Sequence, residues 1–130
     1  DKCKDILSEL LFASPNIVLL QETKLSKIDD AKPRFFLPRN LCSHRIVPAS
    51  GTSGGLITAW NDALFTYTNF SHNTSTLTVC LSETSSDLSF YVINVYAPTT
   101  PDMRLAFLDE FKDVASVGDT PRVACGDFNM

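Results

Sequence analysis

The stretch that most constrains this chain is its last apolar run, Arg122-Val123-Ala124-Cys125-Gly126-Asp127-Phe128-Asn129. A short apolar segment between turn signals reads as a buried strand. It stops at Gly126 and then presents a carboxylate and a carboxamide two residues apart, on one side if the extended geometry continues. A carboxylate and an amide delivered together at the end of a buried strand suit a site that handles a phosphate and a water. The rest of the chain has to supply a sheet around that strand.

The preceding sequence does so. Cys3, Ile6, Leu7, Leu10 and Leu11 recur at helical spacing, and Ser14-Pro15 ends that helix. Ile17-Val18-Leu19-Leu20 is a β-rich run with Gln21-Glu22-Thr23-Lys24 at its mouth. Ligands collect at such strand ends in α/β sheets. The segment from Leu25 to Pro48 is irregular and broken by Pro33, Pro38 and Pro48. Within it Phe35-Phe36-Leu37 is expected to plug the core, and Arg45-Ile46-Val47 to form an edge strand. Ser50-Gly51-Thr52-Ser53-Gly54-Gly55 lacks the lysine and following helix of a phosphate-binding loop. Its glycines predict a turn and close packing before the strand Leu56–Trp60.

Asn61-Asp62 predicts a hairpin turn with Ala63–Phe70 as the return strand. Ser75–Leu81 alternates as a strand, and Leu88–Ala97 gives the longest strand signal. Asn94 and Tyr96 share a face of it, and an asparagine that deep needs a partner. Thr100 is expected to cap a helix with Pro101 at its first position, a buried stripe of Leu108, Phe111, Val114 and Ala115 beside Phe107, and an end at Gly118. The order predicts an α/β (α+β) domain of mixed, mostly antiparallel sheets flanked by helices. At 130 residues this is one domain at most, spanning 1–130.

Composition narrows the classes. Hydrophobic residues make up 44%, enough for a core. No run reaches the roughly 18 apolar residues needed to span a membrane. No secretory signal is visible at the N-terminus, which gives the expectation of an intracellular protein, nuclear or cytoplasmic. Cys3, Cys42, Cys80 and Cys125 form no C-x-x-C pair and are expected to be buried, reduced thiols. The net charge of −4 argues against a general polyanion binder. Yet Lys24, Lys27, Lys32, Arg34, Arg39 and Arg45 face only Asp29 and Asp30 between positions 24 and 45. That stretch is either a solvated basic loop or a track for an anionic partner.

Four polar clusters thus end apolar strands: Gln21-Glu22-Thr23-Lys24, Ser53-Gly54-Gly55, Asn94-x-Tyr96-x-Pro98 and Gly126-Asp127-Phe128-Asn129. Singly each is weak. In this order they resemble the endonuclease/exonuclease/phosphatase superfamily, the deoxyribonuclease I-like group. Leu20–Lys24, Ser53–Trp60, Asn94–Pro98 and Gly126–Asn129 most resemble the endonuclease domain of plant LINE-type (non-LTR) retrotransposons.

The resemblance implies part of a four-layer α/β sandwich that cleaves phosphodiesters in DNA with magnesium, or manganese in its place. It implies Glu22 as the metal ligand, Asp127 orienting and deprotonating a water, Asn129 holding that arrangement, and Tyr96 bonding the phosphate. Lys24, Lys27 and Arg34 would track the DNA backbone, and Asn94 would support the phosphate-binding side. The family's upstream asparagine strand, its second Asp/Asn pair and its Ser-Asp-His motif match nothing in these residues, and His44 and His72 match no family position. The domain is therefore expected to be incomplete and inactive alone, its missing half supplied by flanking chain. A non-catalytic nucleic-acid or partner-binding remnant and a phosphatase of the same fold are the alternative readings. The sequence carries no expectation of oligomeric state.

Overall fold

The computed structural model describes residues 1–25, 32–51 and 53–130. Lys27 lies outside the described residues. Helix α1 spans Lys2–Ala13, with the Asp1 carboxylate accepting from the Cys3 N–H and Ser14 closing the helix in a left-handed conformation. Strand β1 is Ile17–Gln21. A short 3₁₀ turn, Lys32–Phe35, precedes β2, Ser43–Val47. Strands β3, Leu56–Trp60, β4, Phe65–His72, β5, Thr76–Glu83, and β6, Ser89–Tyr96, follow. A second 3₁₀ turn, Pro101–Met103, leads into helix α2, Arg104–Ser116, and the last strand is β7, Arg122–Asp127.

The strands form two sheets. One has the order β1-β3-β2, antiparallel throughout. The other has the order β4-β5-β6-β7, antiparallel except for the parallel pair β6–β7. A parallel pair needs a crossover connection, and α2 provides it.

Alternation along each strand builds four layers. Ile57 and Ala59 of β3 face α1, where they pack with Val18, Leu41, Phe36 and Leu37, and Ile6 and Leu10 of the helix close over them. Leu56 and Trp60 point the other way and meet Leu77, Val79, Leu81 and Val92 of the second sheet. The far face of that sheet, Ile93 and Val95, packs on Phe107, Phe111 and Val114 of α2. The molecule is thus helix, sheet, sheet, helix, the four-layer α/β sandwich expected.

Several local expectations are corrected. The turn at Asn61-Asp62 is real, with Leu64 and Phe65 N–H groups bonded to the Asn61 carbonyl. It makes no hairpin, because β3 and β4 belong to different sheets. Thr100 makes no side-chain cap, since the Pro101–Met103 turn separates it from α2. The buried stripe of α2 is Phe107, Phe111 and Val114, while Leu108 and Ala115 are exposed. Phe36 and Leu37 plug the core, but Phe35 faces solvent. Of the four cysteines only Cys80 is buried; Cys42 and Cys125 are exposed and Cys3 is half-buried, all as free thiols.

Candidate active site

One end of the sandwich gathers the chemistry. Gln21, at the end of β1, pairs with Leu56, at the start of β3. Tyr96 ends β6, and Asp127 beside it ends β7. The mouths of both sheets therefore meet at one place.

The backbone here is held in unusual conformations. Glu22 and Lys24 have φ of 53° and 58°, and Asn129 has φ of 48°. Residues without a Gly backbone are rarely found there, and such outliers gather at functional sites. The glycine loop explains the first two. Thr23 and Lys24 donate their N–H groups to the carbonyls of Gly55 and Gly54 at 3.3 and 3.0 Å. Gly55 has φ of +94°, and a Cβ on it would strike the Thr23 hydroxyl. So only glycine lets this loop dock against the chain after β1 and turn Glu22 outward, where it is exposed.

A second close approach shapes the other sheet. A Cβ on Gly126 would fall on the Val95 carbonyl, so a side chain there would force β7 away from β6. Beyond it, the Asp127 carbonyl accepts from the Ala97 N–H at 2.8 Å and the Asp127 carboxylate accepts from the Asn129 N–H at 3.0 Å. The Asn129 amide donates to the Ala97 carbonyl at 2.7 Å. Asp127 and Asn129 are thus braced on the end of β6. Phe128 between them is anchored on Phe107 and Phe111.

The two halves meet at Tyr96. Burial, then the hydrogen bond to Glu22 and its charge, then the charge of Asp127, push the Tyr96 phenol above its ordinary value. Glu22 comes from one sheet and Asp127 from the other, and both act on this hydroxyl.

Beneath them Asn94 is fully buried. Its amide donates to the carbonyls of Leu20 and Ile57 and to the Thr58 hydroxyl at 3.3, 3.0 and 3.3 Å. It accepts from the Gln21 amide at 2.8 Å. This is the partner such an asparagine needs, and it ties β6 to β1 and β3. With its polar atoms engaged inside the protein, Asn94 stands as a support under Tyr96. Gln21 was given no role from the sequence; an amide next to Glu22 at a strand mouth, with an unpartnered asparagine expected elsewhere, was the available signal.

The structure therefore brings together Glu22, Tyr96, Asp127 and Asn129, with Asn94 below. Lys24 is exposed two residues from Glu22. Arg34 lies apart, on a cavity at the Trp60 end of β3. The described residues form no cluster of three or more His, Cys, Asp or Glu side chains. Magnesium and manganese take hard oxygens, and magnesium in particular is held by as few as one or two carboxylates with water completing the shell. The exposed Glu22 carboxylate at the mouth of β1 meets that need.

A four-layer sandwich with mixed, mostly antiparallel sheets between two helices is the architecture of the deoxyribonuclease I-like fold. The chain belongs to the endonuclease/exonuclease/phosphatase family, whose model matches residues 1–130. Among curated proteins no sequence matches it. A humanized Danio rerio TDP2 superimposes with a TM-score of 0.73 at 12% identity, covering 99% of this chain and 58% of that one. ANGEL2, a 2′,3′-cyclic phosphatase, in complex with adenosine-2′,3′-vanadate gives 0.70 at 19%, covering 97% and 43%. The AP endonuclease LMAP from Leishmania major gives 0.61 at 17%, covering 94% and 48%. These likenesses establish the deoxyribonuclease I-like fold, and the chain spans about half the length of the structures it matches. No helix among the described residues is long and apolar enough to cross a membrane.

Proposed function

We propose that these residues carry part of the active site of a divalent-metal-dependent phosphodiesterase that cleaves DNA, of the LINE retrotransposon type. The observation that carries the reading is geometric: the Gln21–Asn94 bond ties the mouth of β1, which Glu22 follows, to the end of β6, where Tyr96 lies beside Asp127. An AP endonuclease stands among the structural neighbours, beside a 2′,3′-cyclic phosphatase. The motif series from Leu20 to Asn129 is what favours the retrotransposon type.

Each residue then has a task. Glu22 would hold magnesium, or manganese, through its exposed carboxylate. When bound, that ion offsets the charge of the phosphoryl group and of the leaving oxygen. Asp127 would orient an attacking water and accept its proton. Tyr96 keeps its proton and would turn it from Glu22 to a phosphoryl oxygen once the ion takes that carboxylate. Asn129 donates one amide N–H to Ala97 and has a second for the phosphoryl group. Asn94 and Gln21 hold the two sheet mouths in register. Lys24 and Lys27, following Glu22, would meet the nucleic-acid backbone as positioning contacts. A phosphatase could use the same cluster; the cationic stretch after Glu22 favours a polynucleotide.

Relaxation of supercoiled plasmid in magnesium tests this. The 130-residue chain alone is expected not to nick, because several groups of a phosphodiesterase site act as a unit. The chain expressed within its uninterrupted reading frame is expected to nick, and Asp127→Ala or Glu22→Ala to abolish it. Nicking that survives both substitutions would overturn the assignment.

A further inference from the structure

The end of the sandwich opposite Glu22 holds a cavity of about 690 Å³, within the size range of small-ligand sites. It lies between the Lys32–Phe35 turn and the edge strand β2, at the Trp60 end of β3. Trp60 pairs with Ile17 and Ser43, whereas Gln21 pairs with Leu56 at the other end. Four residues of β3, about 13 Å at roughly 3.3 Å each, separate the two ends.

The lining is cationic on an acidic protein. Arg34, Arg39 and Arg45 all contribute to it. Among the described residues none of the three is ion-paired to a carboxylate. Arg45 is held in place, its guanidinium 4.3 Å from the Tyr67 ring centre and 5.1 Å from that of Phe70. Its Nε is buried without a hydrogen-bond partner. A buried donor left unbonded costs about 1–3 kcal/mol, and an acceptor entering the cavity would remove that cost. Asp62 accepts from Cys42 and Ser43 of the wall at 3.3 Å each. Among the described residues the lining itself holds three guanidinia and no carboxylate. Tyr67 is already engaged by Trp60 and Arg45, which leaves recognition to the arginines and not to base stacking. Guanidinia in this number match phosphate oxygens in geometry as well as charge.

We propose that this cavity is a second phosphate-binding site, which holds the backbone of a single nucleic-acid strand away from the candidate catalytic end. The choice of a polynucleotide rests on the phosphodiesterase reading; the cationic site itself does not.

The test is fluorescence anisotropy of a fluorescein-labelled single-stranded oligodeoxynucleotide, titrated with the 130-residue chain in EDTA at several salt concentrations. Arg34→Ala with Arg39→Ala, both exposed positions, is expected to weaken binding at least about tenfold. The dependence of log affinity on log salt should become shallower by about 1.4, roughly 0.7 per lost contact. Arg45→Lys keeps the charge but loses the planar fork, and is expected to weaken binding with the circular dichroism spectrum unchanged. Unchanged affinity and salt slope in the double variant would overturn the site. AMP that displaces the oligonucleotide equally well, phosphate for phosphate, would overturn the strand and leave a mononucleotide there. If plasmid nicking fails while arginine-dependent binding stands, the phosphodiesterase reading falls alone; the reverse result removes only the second site.

Discussion

Tyr96 shows how much one hydroxyl can report. Its phenol is raised above the ordinary 10.0 by burial first, then by Glu22 and Asp127. The folded state therefore holds that proton more tightly than the unfolded chain does. The resulting stabilisation is present below pH 10.0 and is lost as pH rises through the higher folded-state value. An ultraviolet titration of phenolate formation reads this directly among the three tyrosines. Tyr96→Phe should remove one step, and Glu22→Gln should move that same step to lower pH by removing a negative neighbour. A step that Glu22→Gln leaves in place would mean that the two side chains do not meet in solution.

Among the elements, β6 has the largest task, because it lies between β5 and β7 and also carries the bond to the other sheet. Asn94→Leu keeps the volume but removes the bonds to the Leu20 and Ile57 carbonyls, the Thr58 hydroxyl and the Gln21 amide. Since a lost buried hydrogen bond costs about 1–3 kcal/mol, a loss near 3 kcal/mol is expected after partial relaxation. Urea unfolding measures it, and a loss below about 0.5 kcal/mol would show the network to be dispensable. The need for a partner at Asn94 was legible in the sequence, and so were nearly all the strands, because alternation and turn residues are local signals. Which sheet a strand joins is not local, and Asn61-Asp62 looks the same whether the chain doubles back or crosses to another layer. The same limit explains Leu108: its spacing fits a buried stripe, but the angle at which α2 meets β6 selects Phe107 and Phe111 instead. At the site, Glu22, Tyr96, Asp127 and Asn129 were legible as strand-end polar groups, whereas the left-handed backbone at Glu22 depends on the distant Gly54 and Gly55 carbonyls.

For the molecule as a whole, the thiols give a map of coverage. Cys125 and Cys42 are exposed and Cys80 is buried. Cys42 donates to Asp62, and that bond, with burial and the carboxylate charge behind it, raises its thiol above the ordinary value. Since the thiolate is the reactive form, Cys125 should react with a thiol reagent first, Cys42 more slowly despite its exposure, and Cys80 only on unfolding. Mass spectrometry of partly labelled protein gives the order; early labelling of Cys80 would contradict the layered core. The same layering bears on how the protein would fail. Glu22 is carried by one sheet and Tyr96, Asp127 and Asn129 by the other, and among the described residues no backbone ladder joins the two sheets. Their alignment depends on apolar contacts, which resist separation far better than sliding, and on the Asn94 bonds. Gentle heating would then blur the site through shear between the layers while every strand stayed paired, so the effect of Glu22→Gln on the Tyr96 titration would fade before melting.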